Sequence, residues 1–330
     1  MESFSGAFTI DVRRLRVLRE LRQRGTIAAT ARALALTPSA ISQQFSALSR
    51  ELGVPLLAPQ GRGVRLTPQA QILLEHAAAV DAQLERARAD LAAFDQGAVG
   101  RLTVGAIGTA ISGLVAPALE RLRQQRPRLD VSVRELDPPE SFSLLDRGDL
   151  DVVVAVDYRG GPIRGDGRYA RRELLDDFLV VALPARHPLA GRRRVDLLAL
   201  SGERWIVGAA RGPCQEVGLA ACAAAGFTPD IAHRVDDWNA LLRLVAAGAG
   251  VGLVPLLALA GRRPEGVVLR RPAGPQRPCR HMYAAVRAGA ERSPSLIPLL
   301  AALQVAARAR IEGAAVLSRP GGPAAARRMG

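Results

Sequence analysis

Residues 26–67 constrain this chain more than any other stretch, because they spell two short helices joined by a very tight turn. Thr26 to Leu34 is small and apolar, which lets a helix pack closely against a neighbour, and Ala35-Leu36 leaves room only for a brief turn. Thr37-Pro38 then restarts a helix, since a threonine hydroxyl caps well and proline at the first helical position gives up no hydrogen bond. Such a pair holds its second helix at a steep angle, able to enter a DNA major groove. That helix is predicted from Pro38 to about Leu52, with Ile41, Phe45 and Leu48 inward and Ser39, Ser42, Gln43 and Gln44 outward. Glutamine amides can bridge N6 and N7 of adenine, and serines suit several bases or phosphates. With Thr37 and Pro38 these form the candidate DNA-reading set. Gly53 supplies the stop. Leu56-Leu57 and Val64-Arg65-Leu66 flank a hairpin over Pro59–Gly63, whose Arg62 and Arg65, with Arg50 on the helix, suit phosphates. Phosphate contacts give affinity and salt dependence rather than sequence choice.

A chain of 330 residues points to two or three domains, and 48% hydrophobic residues can bury sizeable cores. The net charge of +14 favours a polyanionic partner. Every basic residue is arginine, which excludes a P-loop lysine, a Schiff-base lysine and a kinase-type phosphate lysine. Three cysteines, Cys214, Cys222 and Cys279, do not make a disulfide framework and fit a reducing cytoplasm. No window approaches the apolar length of a membrane span, so the expectation is a cytoplasmic protein without membrane contact.

Thr67-Pro68 repeats the cap-plus-proline device and opens a long helix. Along it Leu73, Ala77, Val80, Leu84, Ala87 and Leu91 alternate spacings of four and three, a heptad seam flanked by charges. Such a seam suits pairing with a second copy, and a homodimer would present two recognition helices to two half-sites. Beyond Gly97 and Gly100 strand-like runs alternate with helical ones, from Leu102-Thr103-Val104 to Met282–Val286, the mark of an α/β domain with mainly parallel strands. From about residue 311 Gly, Pro, Ala and Arg dominate, and residues 311–330 are expected to be a disordered tail.

On Ala31-Arg32-Ala33-Leu34, Pro38–Gln44, Leu52–Leu56 and Val64–Pro68, with His187–Ala190 and Val245–Pro255 further on, the chain resembles LysR-type transcriptional regulators from about Val12 to Arg310. The resemblance implies an all-α winged helix-turn-helix domain (10–67), a coiled-coil linker helix (68–96) and a two-lobed α/β effector domain like periplasmic binding proteins (101–310). Its first lobe would hold 101–160 and 267–310, its second 161–266, and the assembly would be a homodimer or tetramer. Leu57, Pro59 and Ala70 depart from the family, which has Phe, Arg and Gly there. A missing arginine at Pro59 weakens one phosphate contact that Arg62 and Arg65 can offset.

In a two-lobed α/β domain strands end at the cleft and following helices point their N-termini into it. Thr109 after the first strand, Gly208 in the second lobe and Asp137 at the rim are therefore the candidate effector contacts. Helix N-termini favour anions, so a small carboxylate or amino acid is the default effector. Cys214 and Cys222 lie near the redox pair of a peroxide-sensing branch of the same family, but one residue closer together and with Pro213 where that branch has His. A reactive thiol needs a cationic setting, which Arg211 could offer, while Cys222 sits among alanines like a core residue. His76, His187, His233 and His281 are scattered without metal-ligand spacing, and no nucleophile elbow appears. Asp176-Asp177 and Asp236-Asp237 read as solvated loops. The sequence thus describes a DNA-binding regulator, not an enzyme, with no cofactor or metal beyond a small-molecule effector and with double-stranded DNA and its own copies as partners. The alternative is a cytoplasmic ligand-binding or thiol redox-sensing protein whose N-terminal helices bind another protein.

Overall fold

The computed structural model describes residues 11–61, 63–94, 100–158, 161–162, 164–208, 213–259, 264–274 and 277–316. It divides after Ala87 into two compact units. The first opens with α1 (Val12–Arg24), α2 (Ile27–Ala33) and α3 (Pro38–Leu52), followed by the antiparallel pair β1 (Leu57–Gln60) and β2 (Gly63–Leu66). Helix α4 (Pro68–Phe94) begins in this unit and runs past its boundary. The caps fall where local chemistry puts them. Thr26, Thr37 and Thr67 each accept the N–H three residues on, at 3.2 Å. Gly53 closes α3 at φ 66, a left-handed turn cheap only for glycine. Between α2 and α3 the chain turns through Ala35 at φ 54. Leu18, Leu21, Ala31, Ile41, Phe45, Leu48, Leu56 and Leu74 make one core.

The second unit starts with β3 (Gly100–Ala106), then α5 (Gly108–Ala110), a π-helical turn at Ile111–Val115 and α6 (Ala116–Gln125). β4 (Leu129–Glu135), α7 (Glu140–Arg147), β5 (Val152–Val156) and the long β6 (Tyr169–Pro184) follow. Next come β7 (Arg194–Val195), β8 (Arg204–Val207), α8 (Pro213–Ala224), β9 (Asp230–Arg234) and α9 (Trp238–Ala246). β10 (Gly252–Pro255), α10 (Leu256–Leu259), β11 (Val267–Pro272), β12 (Cys279–Arg287) and α11 (Leu296–Val316) complete it.

Strand β3 lies parallel to β4 and β5, while β12 runs antiparallel to β5 and to the first half of β6. Beyond Phe178 the partners of β6 change, and Leu179–Pro184 pairs antiparallel with β10 and β11. Leu179 N–H donates to Pro278 C=O at 2.8 Å, so the chain crosses between lobes at two adjacent points, after Phe178 and before Cys279. The sheet is therefore mixed rather than mainly parallel, because the two crossing strands run against each other. The lobes also differ from the sequence expectation of 160/161 and 266/267. β11 belongs with the second lobe, and residues 169–178 with the first. The charged run Tyr169–Asp177 hides a strand because pairing, not apolar content, assigns it.

Val152–Val156 is buried on both faces, as its unbroken apolar run predicts. One face packs on Leu114, Leu122, Leu299 and Leu303, the other on Phe142, Leu145 and Tyr283. The second lobe buries Trp205, Leu183, Leu200 and Cys222 on one side and Leu241, Val245 and Val254 on the other. Helix α11 continues to Val316, into the stretch expected to be without structure, since Glu312–Val316 is rich in good helix formers. Residues 317–330 lie outside the described residues.

Candidate functional site

The head shows what burying one face of α3 does to the other. With Ile41, Phe45 and Leu48 inside, Ser39, Ser42 and Gln43 are exposed and Gln44 is half-buried. Two of the polar groups serve the helix itself. Thr37 Oγ1 caps Ala40 and lies 3.0 Å from Ser39 Oγ, and Ser42 Oγ donates to Pro38 C=O at 3.0 Å. Gln43 therefore offers the farthest-reaching amide on this face. Arg50 is exposed, with Nε donating to Ser46 C=O at 3.3 Å, and Arg65 is exposed on β2. Arg62 lies outside the described residues. Gln60, which the sequence reading passed over, is exposed at the hairpin end beside Gly61 at φ 58.

The seam of α4 divides into two parts. Leu73 packs against the core of the head and Ala77 is buried, so these two belong to the helix's own domain and not to a free pairing face. Val80, Leu84 and Leu91 are 42%, 50% and 73% exposed, and Ala87 is exposed between them. The heptad period is continuous, but the head covers its start.

Between the two lobes a charged cluster closes on Arg280. Its Nη2 donates to Thr109 Oγ1 at 3.1 Å and to the Asp177 carboxylate, and its Nη1 lies 2.8 Å from Cys214 Sγ. Thr109 comes from α5 of the first lobe and Cys214 from α8 of the second. Asp177 and Arg280 come from the crossing strands, and Asp177 Oδ1 also accepts Leu257 N–H at 2.9 Å. Both charged side chains are almost wholly buried, 3% exposed for Arg280 and 1% for Asp177. Asp177, read from sequence as a solvated loop residue, is thus a buried ion-pair partner. Neighbouring Asp176 is exposed and paired with His281 Nδ1 at 2.6 Å. Adjacent strand residues point to opposite faces, which a doublet of identical residues conceals.

Of the expected effector contacts, Thr109 is buried and its hydroxyl accepts from Arg280 Nη2. Gly208 lines a cavity at the end of β8 together with Trp205, Cys214, Gln215, Trp238 and Leu253, and its C=O accepts from Gln215 Nε2 at 3.0 Å. Asp137 stands exposed after β4, its carboxyl pushed up by loss of solvent and by the like charge of Asp236 on the second lobe.

Burial pushes the Cys214 thiol up despite the adjacent guanidinium, and pushes Cys222 up to about 11. Eight residues apart on continuous α8, the two are separated by a rise of roughly 12 Å, beyond disulfide reach. Arg211 lies outside the described residues. Among the described residues no group of three or more His, Cys, Asp or Glu is placed to hold a metal, and no helix is long and apolar enough to cross a membrane.

Residues 12–71 match the bacterial regulatory helix-turn-helix proteins of the lysR family, and residues 95–308 match the LysR substrate binding domain. The HTH-type transcriptional regulator MetR of Escherichia coli (strain K12) is 29% identical over 285 residues, covering 86% of this chain and 87% of that protein. TfdS of Cupriavidus pinatubonensis is 31% identical over 259 residues, 77% of this chain and 85% of that one. Among solved structures, a hydrogen-peroxide-bound cysteine mutant of Corynebacterium glutamicum OxyR superposes with a TM-score of 0.60 at 22% identity, covering 96% of this chain and 98% of that one. CbnR, a LysR family transcriptional regulator, gives 0.53 at 24% identity, over 89% of this chain and all of that one.

Proposed function

Because this chain belongs to the LysR family of transcriptional regulators, with a DNA-binding helix-turn-helix and an effector-binding domain, we propose how its own residues divide the work. Ser39, Ser42, Gln43 and Gln44 face base edges in the major groove, with Gln43 as the main reader. Thr37, Pro38, Arg50, Arg62 and Arg65 hold the helix start and the wing against phosphates. The exposed part of the α4 seam, Val80, Leu84, Ala87 and Leu91, pairs with a second copy, and dimers associate further into a tetramer. A small effector occupies the interlobe cleft around Thr109, Asp137 and Gly208. The chain acts in the cytoplasm by binding and not by catalysis.

The polar outer face of α3, exposed while its inner face fills the core of the head, is the observation that carries this reading. A gel shift on the chain's own upstream DNA tests it. Gln43→Ala should relax sequence preference while leaving nonspecific binding intact. Arg65→Ala should weaken binding to all sequences alike and lower the salt slope by about one unit. An unchanged slope would remove Arg65 from the phosphate contacts, and absence of any DNA shift would favour a protein-interaction role for the head.

The cleft supports effector control through its shared wiring. Arg280 is bonded to both lobes at once, so a ligand that alters this junction shifts their relative positions.

A further inference from the structure

Past the crossing, the second lobe's sheet carries a group of arginines that the cleft does not use. Strand β6 alternates there: Leu179, Val181 and Leu183 belong to one core of the lobe, Val180 and Ala182 to the other. Period two therefore sends Phe178 away from Asp177, to the side of Val180. On β11, Val267 and Leu269 pack on that same side, which puts Arg271 there too. Arg194 of β7 lies directly across from Arg271 in their parallel pairing, while its neighbour Val195 enters the opposite core. Arg277, just before Pro278, stacks its guanidinium 3.9 Å over the ring of Phe178. Three arginines from three segments thus share one face of the sheet.

Little answers their charge. Among the described residues none of the three takes part in an ion pair, and the buried Nε–H of Arg277 has no acceptor. Loss of solvent and the like charges of Arg271 and Arg194 hold the Arg277 guanidinium below its usual range. The acids nearest in sequence are engaged, Asp176 with His281 Nδ1 at 2.6 Å and Asp196 with Leu198 N–H at 3.1 Å. Pro275-Gln276, outside the described residues, carries no charge. Arg192 and Arg193, exposed beside Arg194, add to the excess. Strands about 5 Å apart bring such charges within reach of one shared anion.

We propose that Arg194, Arg271 and Arg277 form a phosphate-binding site on this face, distinct from the interlobe cleft, for a small phosphomonoester or diphosphate. Guanidinium forks match phosphate oxygens bidentately and stay charged. Three positive charges attract a di- or trianion more strongly than a single carboxylate. Phe178 holds the plane of Arg277 before the ligand arrives. A phosphate oxygen then takes the buried Nε–H, a donor costly to leave unpaired.

Isothermal titration calorimetry of the full-length protein, at fixed ionic strength, tests the site with pyrophosphate, glycerol 3-phosphate, dimethyl phosphate and succinate. Pyrophosphate or glycerol 3-phosphate should bind saturably, tenfold or more tighter than both dimethyl phosphate and succinate. Arg277→Gln and Arg194→Gln should each weaken that binding tenfold. Arg194 is exposed, so its variant probes the site without touching a core. Arg123→Gln removes an exposed charge from α6 and should leave the affinity unchanged. No saturable heat, or an affinity unchanged in Arg194→Gln or Arg277→Gln, overturns the site. Dimethyl phosphate binding equally well would point to a nucleic-acid backbone instead, and succinate doing so, or an equal loss in Arg123→Gln, to surface charge alone. Each of these also overturns it, while the readings of the head and of the cleft stand apart from the outcome.

Discussion

Arg280 and Asp177 place opposite charges side by side out of reach of water, and such pairs respond asymmetrically to substitution. Removing one partner strands the other as an uncompensated buried charge, at a cost of about 3–5 kcal/mol, whereas replacing both by apolar groups can be nearly neutral. Arg280→Met should therefore destabilise the chain by about that amount in urea melts, and Arg280→Met with Asp177→Leu should recover most of it. Recovery should stay incomplete, because Leu257 N–H loses its acceptor at 2.9 Å. A double variant as unstable as the single one would mean that the pair itself, not the stranded charge, matters. Asp137 responds in another way. Its carboxyl is held above the usual range, so the folded chain keeps its proton at a higher pH than the unfolded chain does. The stability linked to that proton is fully present below the unfolded value and is lost as pH rises through the folded one. Asp137→Asn should accordingly melt higher than the wild type at neutral pH, with the gap closing as pH falls toward about 4. A gap constant across that range would rule out this account.

At the scale of elements, α4 shows how a period can be legible while its partner is not. Leu73, Ala77, Val80 and Leu84 share one seam in sequence, yet Leu73 packs on the head, Ala77 is buried and the last two are exposed. Leu74, one residue off the seam, is 4% exposed in that same core. Leu74→Ala should cost about 2–5 kcal/mol of unfolding free energy, in line with buried leucines elsewhere. Leu84→Glu should leave the fold intact and shift the mass measured by sedimentation toward the monomer. If Leu84→Glu sediments like the wild type, the exposed seam is not the pairing face. The helix-turn-helix was readable to the residue, because each of its signals acts within a few positions: Thr37 on Ala40, Gly53 on the last turn of α3, Ile41 on Phe45 and Leu48. The first half of β6 was not. Half of its residues are charged, and only β12, about a hundred positions later in the chain, makes them a strand.

For the whole molecule, the proposed pairing of two DNA-reading heads through α4 predicts a footprint of two half-sites separated by about one helical turn, or multiples of about 10.5 base pairs. Insertion of five base pairs between them should weaken binding sharply, and equal affinity for a single half-site would argue against a paired reader. What the sequence by itself determined was the helix-turn-helix head, the start of the long helix that follows it and the α/β character of the remainder, since caps, turns and apolar periods are written in neighbouring residues. The tertiary structure alone decided the division of the lobes and the make-up of the cleft. Thr109, Asp177, Cys214 and Arg280 come from four separate elements, and no local pattern marks a charge as buried until the strands that enclose it have paired.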